Sequence, residues 1–141
     1  METGHNRPCQ LDRRLAPLLL FGNGRSGEDH GTFVYSLPRN QLVHLPSEPG
    51  SVSDTLRGHR VCTTSQGWML MARRLSPETF LWDPFTGSRI SLPPDHDGTM
   101  LTEGRHRLCL LSRRRPTDPG CVVLVVDLDE TVLWYCRLIT S

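Results

Sequence analysis

From Leu18 onward, short apolar runs alternate with clusters of Gly, Pro, Asp and Ser. The breaks recur roughly every ten residues, the rhythm of an all-β chain. The runs predict strands at Leu18–Phe21, Thr32–Ser36, Gln41–Leu45, Arg60–Thr63, Gly67–Met71, Thr79–Trp82, Arg89–Leu92, Arg107–Leu111, Cys121–Asp127 and Val132–Arg137. No stretch sustains the apolar period of about 3.6 residues that marks an amphipathic helix. Residues 1–16 read as a frayed N-terminal segment, polar and broken by Pro8, in which Leu11–Leu15 has room for one helical turn before Pro17.

The breaks carry turn chemistry. Asp83-Pro84-Phe85-Thr86-Gly87 is a tight hairpin connection: Asp83 can cap it, Pro84 suits the first central position, and Gly87 can adopt a positive φ. Leu75-Ser76-Pro77-Glu78 joins two further runs, with Pro77 fixing one φ. Arg115-Pro116-Thr117-Asp118-Pro119-Gly120 is a longer loop in the same vocabulary. In Trp68–Met71, Val122–Val126 and Val132–Cys136, both alternating sets of residues are apolar. A half-solvated strand would alternate apolar with polar, so these three are expected to be covered on both faces. Stacked propeller blades provide such cover, as does a β-sandwich.

Composition narrows the function classes. At 141 residues the chain holds one ordinary domain, and 37% hydrophobic with 22% charged residues argues against disorder throughout. A net charge of +1, spread along the chain, gives no footprint for nucleic acid or an anionic membrane. Every basic residue other than histidine is arginine, which leaves the N-terminal amine as the one conventional ubiquitin acceptor. The five cysteines (Cys9, Cys62, Cys109, Cys121, Cys136) form no CxxC pair and mostly lie in apolar runs, as reduced thiols in a core would. A reducing compartment, cytoplasm or nucleus, is therefore expected. The apolar run Leu18–Phe21 is too short for a signal peptide or membrane span.

Several segments, in order, resemble the propeller domain of plant F-box proteins of the KIB type. They are Pro17–Leu20, Tyr35-Ser36, Ser65–Leu70, the long segment Phe80–Pro94, Cys109–Ser112, Pro116–Val125 and Leu133–Arg137. The resemblance covers residues 17–137 and is most specific from Trp82 to Pro94. It implies antiparallel four-stranded blades of a partial, kelch-like propeller over 17–141, with Phe80, Trp82, Ile90 and Leu92 carried towards neighbouring blades. Trp68, Trp82 and Trp134 are expected to be core anchors between blades. At about 40–50 residues per blade, the chain holds about three blades' worth of strands. Family members typically pair this domain with an F-box that docks a ubiquitin-ligase adaptor, while the propeller engages a target. Met1–Ala16 is too short and polar to be that helical module, so a truncated member or a relic is expected, and adaptor binding is in doubt.

One motif points to different chemistry. Val125-Val126-Asp127-Leu128-Asp129-Glu130-Thr131 resembles the first motif of haloacid-dehalogenase-type phosphatases, which would make Asp127 the nucleophile, Asp129 the general acid and base, and the pair a Mg²⁺ site. That fold needs a downstream Lys and further acidic ligands, whereas ten residues follow Thr131 and no lysine exists. Asp127–Glu130 therefore reads as a turn between strands. His96 with Asp97, and Arg113-Arg114-Arg115, read as solvated loops. The expectation is a non-enzymatic protein-interaction module without catalytic, cofactor or metal residues, binding an unidentified protein target.

Overall fold

The computed structural model describes residues 10–22, 32–45, 48–64 and 66–139. Ten strands and one short helix are found there: β1 (Leu18–Gly22), β2 (Thr32–Ser36), β3 (Gln41–Leu45), α1 (Val52–Arg57), β4 (His59–Thr63), β5 (Met69–Arg73), β6 (Thr79–Trp82), β7 (Arg89–Leu92), β8 (Arg107–Leu111), β9 (Val122–Asp127) and β10 (Leu133–Arg137). They form antiparallel sheets of three strands (β1-β2-β3), four (β4-β5-β6-β7) and three (β8-β9-β10). The chain divides into two compact units, one running to Arg57 and including Pro84–Gly87, the other comprising Gly58–Asp83 and Ser88 onward.

In the first unit, β2 is the central strand, with Tyr35 opposite Leu19 on β1 and Leu42 on β3. Its alternate residues Val34 and Ser36 are fully buried. The helical turn expected near Leu11–Leu15 is a 3-10 turn at Arg13–Leu15, where Asp12 accepts from the Arg14 N–H. Leu11 is buried, and its N–H donates to the Pro84 carbonyl at 2.6 Å. The helix α1 was not expected, because six residues are too few to display a period. Its signal is Ser51-x-x-Asp54, a reciprocal cap. The Asp54 N–H donates to Ser51 Oγ at 3.1 Å, and the Gly50 N–H donates to Asp54 Oδ2 at 3.0 Å.

The second unit contains the four-stranded blade and a three-stranded sheet beside it. The expected hairpin joins β6 to β7: the Asp83 N–H donates to the Ser88 carbonyl at 2.9 Å, and Gly87 has φ +78. All four residues of β6 and the first three of β5 are buried, so both faces are covered there as expected. Register sorts the four aromatic and aliphatic anchors into two sets. Leu81 stands opposite Ile90 and shares a face with Leu92, while Phe80 and Trp82 occupy the other face, opposite Ser91 and Arg89. Leu70 and Leu81, both fully buried, meet Cys109, Leu111, Val123 and Val125 from the sheet beside them, with Cys121 just ahead of β9, to form the core. Each Leu and Val side chain among them contributes about 1.5–3 kcal/mol through burial.

The third sheet departs from expectation. Val122–Val126 and Val132–Cys136 are covered on one face and open on the other. Val123, Val125, Cys109 and Leu111 are buried, but Leu133 is 55% and Tyr135 74% exposed, with Leu108 and Leu110 also exposed. The apolar residues on both parities signal two faces that favour cover; among the described residues only one face has it. Trp82 is a buried anchor as expected, whereas Trp68 and Trp134 are half-buried at the margin of the core.

Candidate functional site

The phosphatase-like motif sits where β9 turns into β10. The Asp127 N–H donates to the Val132 carbonyl at 3.0 Å, so the intervening residues form a closed turn. Asp127 Oδ1 accepts from the N–H groups of Asp129 (2.8 Å) and Glu130 (3.0 Å), and Oδ2 is ion-paired with Arg107 Nη1. Both side chains are nearly enclosed, at 2% exposure for Asp127 and 8% for Arg107. The two backbone donors, with the Arg107 and Arg105 charges, hold the Asp127 carboxyl below its ordinary value despite burial. Asp129 faces outward and pairs with His106 at 3.2 Å, instead of joining Asp127 around a common centre.

Arg107 itself was not singled out by the sequence. Its Nε donates to the Met100 carbonyl at 2.9 Å, its Nη2 to the Thr99 carbonyl at 3.1 Å, and its guanidinium lies over the Trp134 ring at 4.9 Å. One cation thus ties the loop before β8, the turn after β9 and the first half of β10. A nearly enclosed carboxylate committed to three donors is a structural pin. Among the described residues, no group of three or more His, Cys, Asp or Glu side chains is placed to hold a metal ion.

The remaining candidates disperse. His96 and Asp97 are exposed on the loop after β7, and Arg113–Arg115 are exposed on the loop after β8. Cys9 lies outside the described residues. Cys62, Cys109, Cys121 and Cys136 are free thiols in or beside the core. Burial, and then repulsion from Cys62 and Cys136, pushes the Cys109 thiol up to about 12; burial also raises Cys62 and Cys136. Such thiols are poor nucleophiles.

What the second unit does offer is a cleft of about 160 Å³. Leu92, Pro93, Pro94 and Asp95 form one wall, and Val125, Trp134 and Cys136 line the other. Asp95 is held by its Oδ2 accepting from the Met100 N–H at 3.0 Å, and Thr79 by donating its hydroxyl to the Pro93 carbonyl at 2.7 Å. An apolar cleft with few fixed polar groups suits recognition of an apolar group more than bond-making.

The paired blades of the second unit agree with the sequence comparison, in which the KIB1-4 beta-propeller family is matched over residues 34–141. The chain belongs to the KIB1-4 β-propeller family. Its strands are the antiparallel meanders of propeller blades, one with four strands and two with three among the described residues. The KIB1-4 chain is also 28% identical, over 102 residues, to an F-box/kelch-repeat protein of Arabidopsis thaliana. The alignment covers 71% of this chain and 24% of that protein, so the chain spans about a quarter of the curated relative it matches. No solved structure matches it.

Proposed function

We propose that this KIB1-4 chain is a non-enzymatic target-recognition module, related to the substrate receptors of F-box ubiquitin ligases. The observation that carries the reading is the family match over residues 34–141, which takes in both sheets of the second unit. Two features support it. The one catalytic-looking motif is spent on the Arg107–Asp127 pin and its turn. The similar F-box/kelch-repeat protein couples, by its name, propeller-type repeats to an F-box. The partner in this reading is a protein, and the compartment is the cytoplasm or nucleus, in keeping with the free thiols of the core.

The test is affinity capture from plant extract with the purified chain as bait, scored for the ubiquitin-ligase adaptor and for any other stoichiometric protein. A reproducible protein partner is the expected result, with or without the adaptor. Soluble, folded bait that retains nothing above background would refute the recognition role.

A further inference from the structure

β4 and β8 run side by side in the same direction: Cys62 Sγ donates to the Arg107 carbonyl at 3.6 Å, and Gln66 Nε2 to the Leu111 carbonyl at 3.5 Å. The loop that follows β8 therefore lies at one end of the second unit. The β5–β6 turn lies at the other, where Arg74 meets Glu103, ahead of β8, at 2.6 Å. Elsewhere in this unit, up to β9, the guanidinium groups are matched. Arg60 and Arg74 share Glu103, Arg73 meets Glu78, Arg105 meets Glu130 and Arg107 meets Asp127. Arg89 lies over the Phe80 ring. The loop after β8 is the exception: Arg113, Arg114 and Arg115 are exposed, and none of them meets a carboxylate among the described residues.

That loop is a fixed platform. The Ser112 N–H donates to the Val122 carbonyl at 2.9 Å and the Val122 N–H to Ser112 Oγ at 2.7 Å, which closes its base. Pro116 is fully buried, and the N–H groups of Asp118 and Cys121 donate to the Arg115 and Asp118 carbonyls at 3.1 and 3.2 Å. The loop's own carboxylate, Asp118, accepts from the Arg115 N–H at 3.0 Å, so it caps the backbone and leaves the guanidinium groups unmatched. Successive like charges repel one another, and an anion placed among them reverses the sign of the interaction. Each guanidinium offers a planar fork of donors that fits a carboxylate, and a loop already ordered loses little freedom on binding. A nucleic-acid duplex spreads its charge along its whole length and calls for a basic stripe. Here the unmatched charge is confined to one loop, while the opposite end carries Glu78, Glu103, Asp129 and Glu130, so a short local run of carboxylates is the better match.

We infer that the β8–β9 loop is a docking point for an acidic segment of a protein partner, whose carboxylates pair with Arg113, Arg114 and Arg115. The inference rests on the recognition role proposed above and names the chemistry of the segment recognised. Charge complementarity of this kind sets partner choice and association rate, and it weakens with salt.

The experiment is fluorescence anisotropy of a labelled octaglutamate peptide titrated with the full chain at about 50 mM NaCl, where the Debye length still exceeds 10 Å. An octaglutamine peptide and a single-stranded oligonucleotide serve as comparison probes. The variants are Arg114→Gln, the combined Arg113→Gln, Arg114→Gln and Arg115→Gln, and Arg73→Gln, which makes the same charge change at the opposite end. All three alter exposed side chains, and circular dichroism with thermal melting checks that they remain folded. The chain is expected to bind octaglutamate and not octaglutamine. Single exposed ion pairs are weak, so Arg114→Gln should lower the affinity about threefold and the combined variant about tenfold or more, with Arg73→Gln close to the parent. Failure to bind octaglutamate, an equal loss on Arg73→Gln and Arg114→Gln, or tighter binding of the oligonucleotide would overturn the docking point. A partner captured from extract equally by the parent and the combined variant would overturn it while leaving the recognition role standing. Arginine-dependent binding of octaglutamate by a chain that captures no protein would uphold the anion chemistry and sink the recognition role.

Discussion

Leu81 and Leu133 are both strand leucines, and truncating each to alanine should have very different consequences. Leu81 is fully buried between its own blade and the sheet beside it, in contact with a core that includes Leu70, also fully buried. Neither neighbouring strand can collapse into the gap without losing ladder register, so Leu81→Ala should lie mid-range for such truncations, at about 3 kcal/mol. Leu133 sits on the open face of β10 at 55% exposure, and Leu133→Ala should stay within about 0.5 kcal/mol. With a urea slope of about 1.5 kcal/mol/M, the midpoint should fall by about 2 M for Leu81→Ala and by less than about 0.4 M for Leu133→Ala. Tryptophan fluorescence is a suitable probe, because Trp82 is 2% exposed when folded. Equal shifts, or a larger one at Leu133, would refute the assignment of covered and open faces.

Three other outcomes follow from local geometry. Leu75 is wholly exposed with φ +60, a conformation that costs an L residue about 1–2 kcal/mol; Leu75→Asn should raise the melting temperature by a few degrees, and a fall would refute the strain. Cys109, pushed up to about 12, should resist iodoacetamide at pH 8 and become labelled in urea; rapid native labelling, read by mass spectrometry, would contradict its burial. Because the Asp127 carboxyl is held low by the Asp129 and Glu130 N–H groups and then by Arg107, its contribution to stability is complete above about pH 4 and fades as pH falls through the lowered value. Urea midpoints of Asp127→Asn and the parent should therefore differ at pH 6 and converge towards pH 2.

Most of the fold was legible because each strand is short and bounded by residues with a turn function. The ends of β5 show where this stops. Gly67 belongs to the preceding turn, with φ +85, and Thr64 bonds to the Trp68 carbonyl, so the strand runs from Met69 to Arg73. The Arg107–Asp127 pin was illegible for another reason: the partners lie far apart in sequence, and the apparent Asp-Leu-Asp-Glu catalytic motif hides a turn whose charge is met from another strand. The open face of β8-β9-β10 was equally hidden, since Leu124 and Tyr135 would read the same whether covered or not. The cleft draws Leu92, Pro93 and Trp134 from separate segments, and no local pattern links them.

The central claim, that this KIB1-4 chain acts by binding a protein and not by catalysis, is tested most directly by calorimetric titration of the purified chain with its captured partner. The account predicts a saturable isotherm of fixed stoichiometry, with the partner's mass unchanged after incubation. Absence of saturable binding, or a partner chemically altered by the chain at substoichiometric amounts, would contradict it.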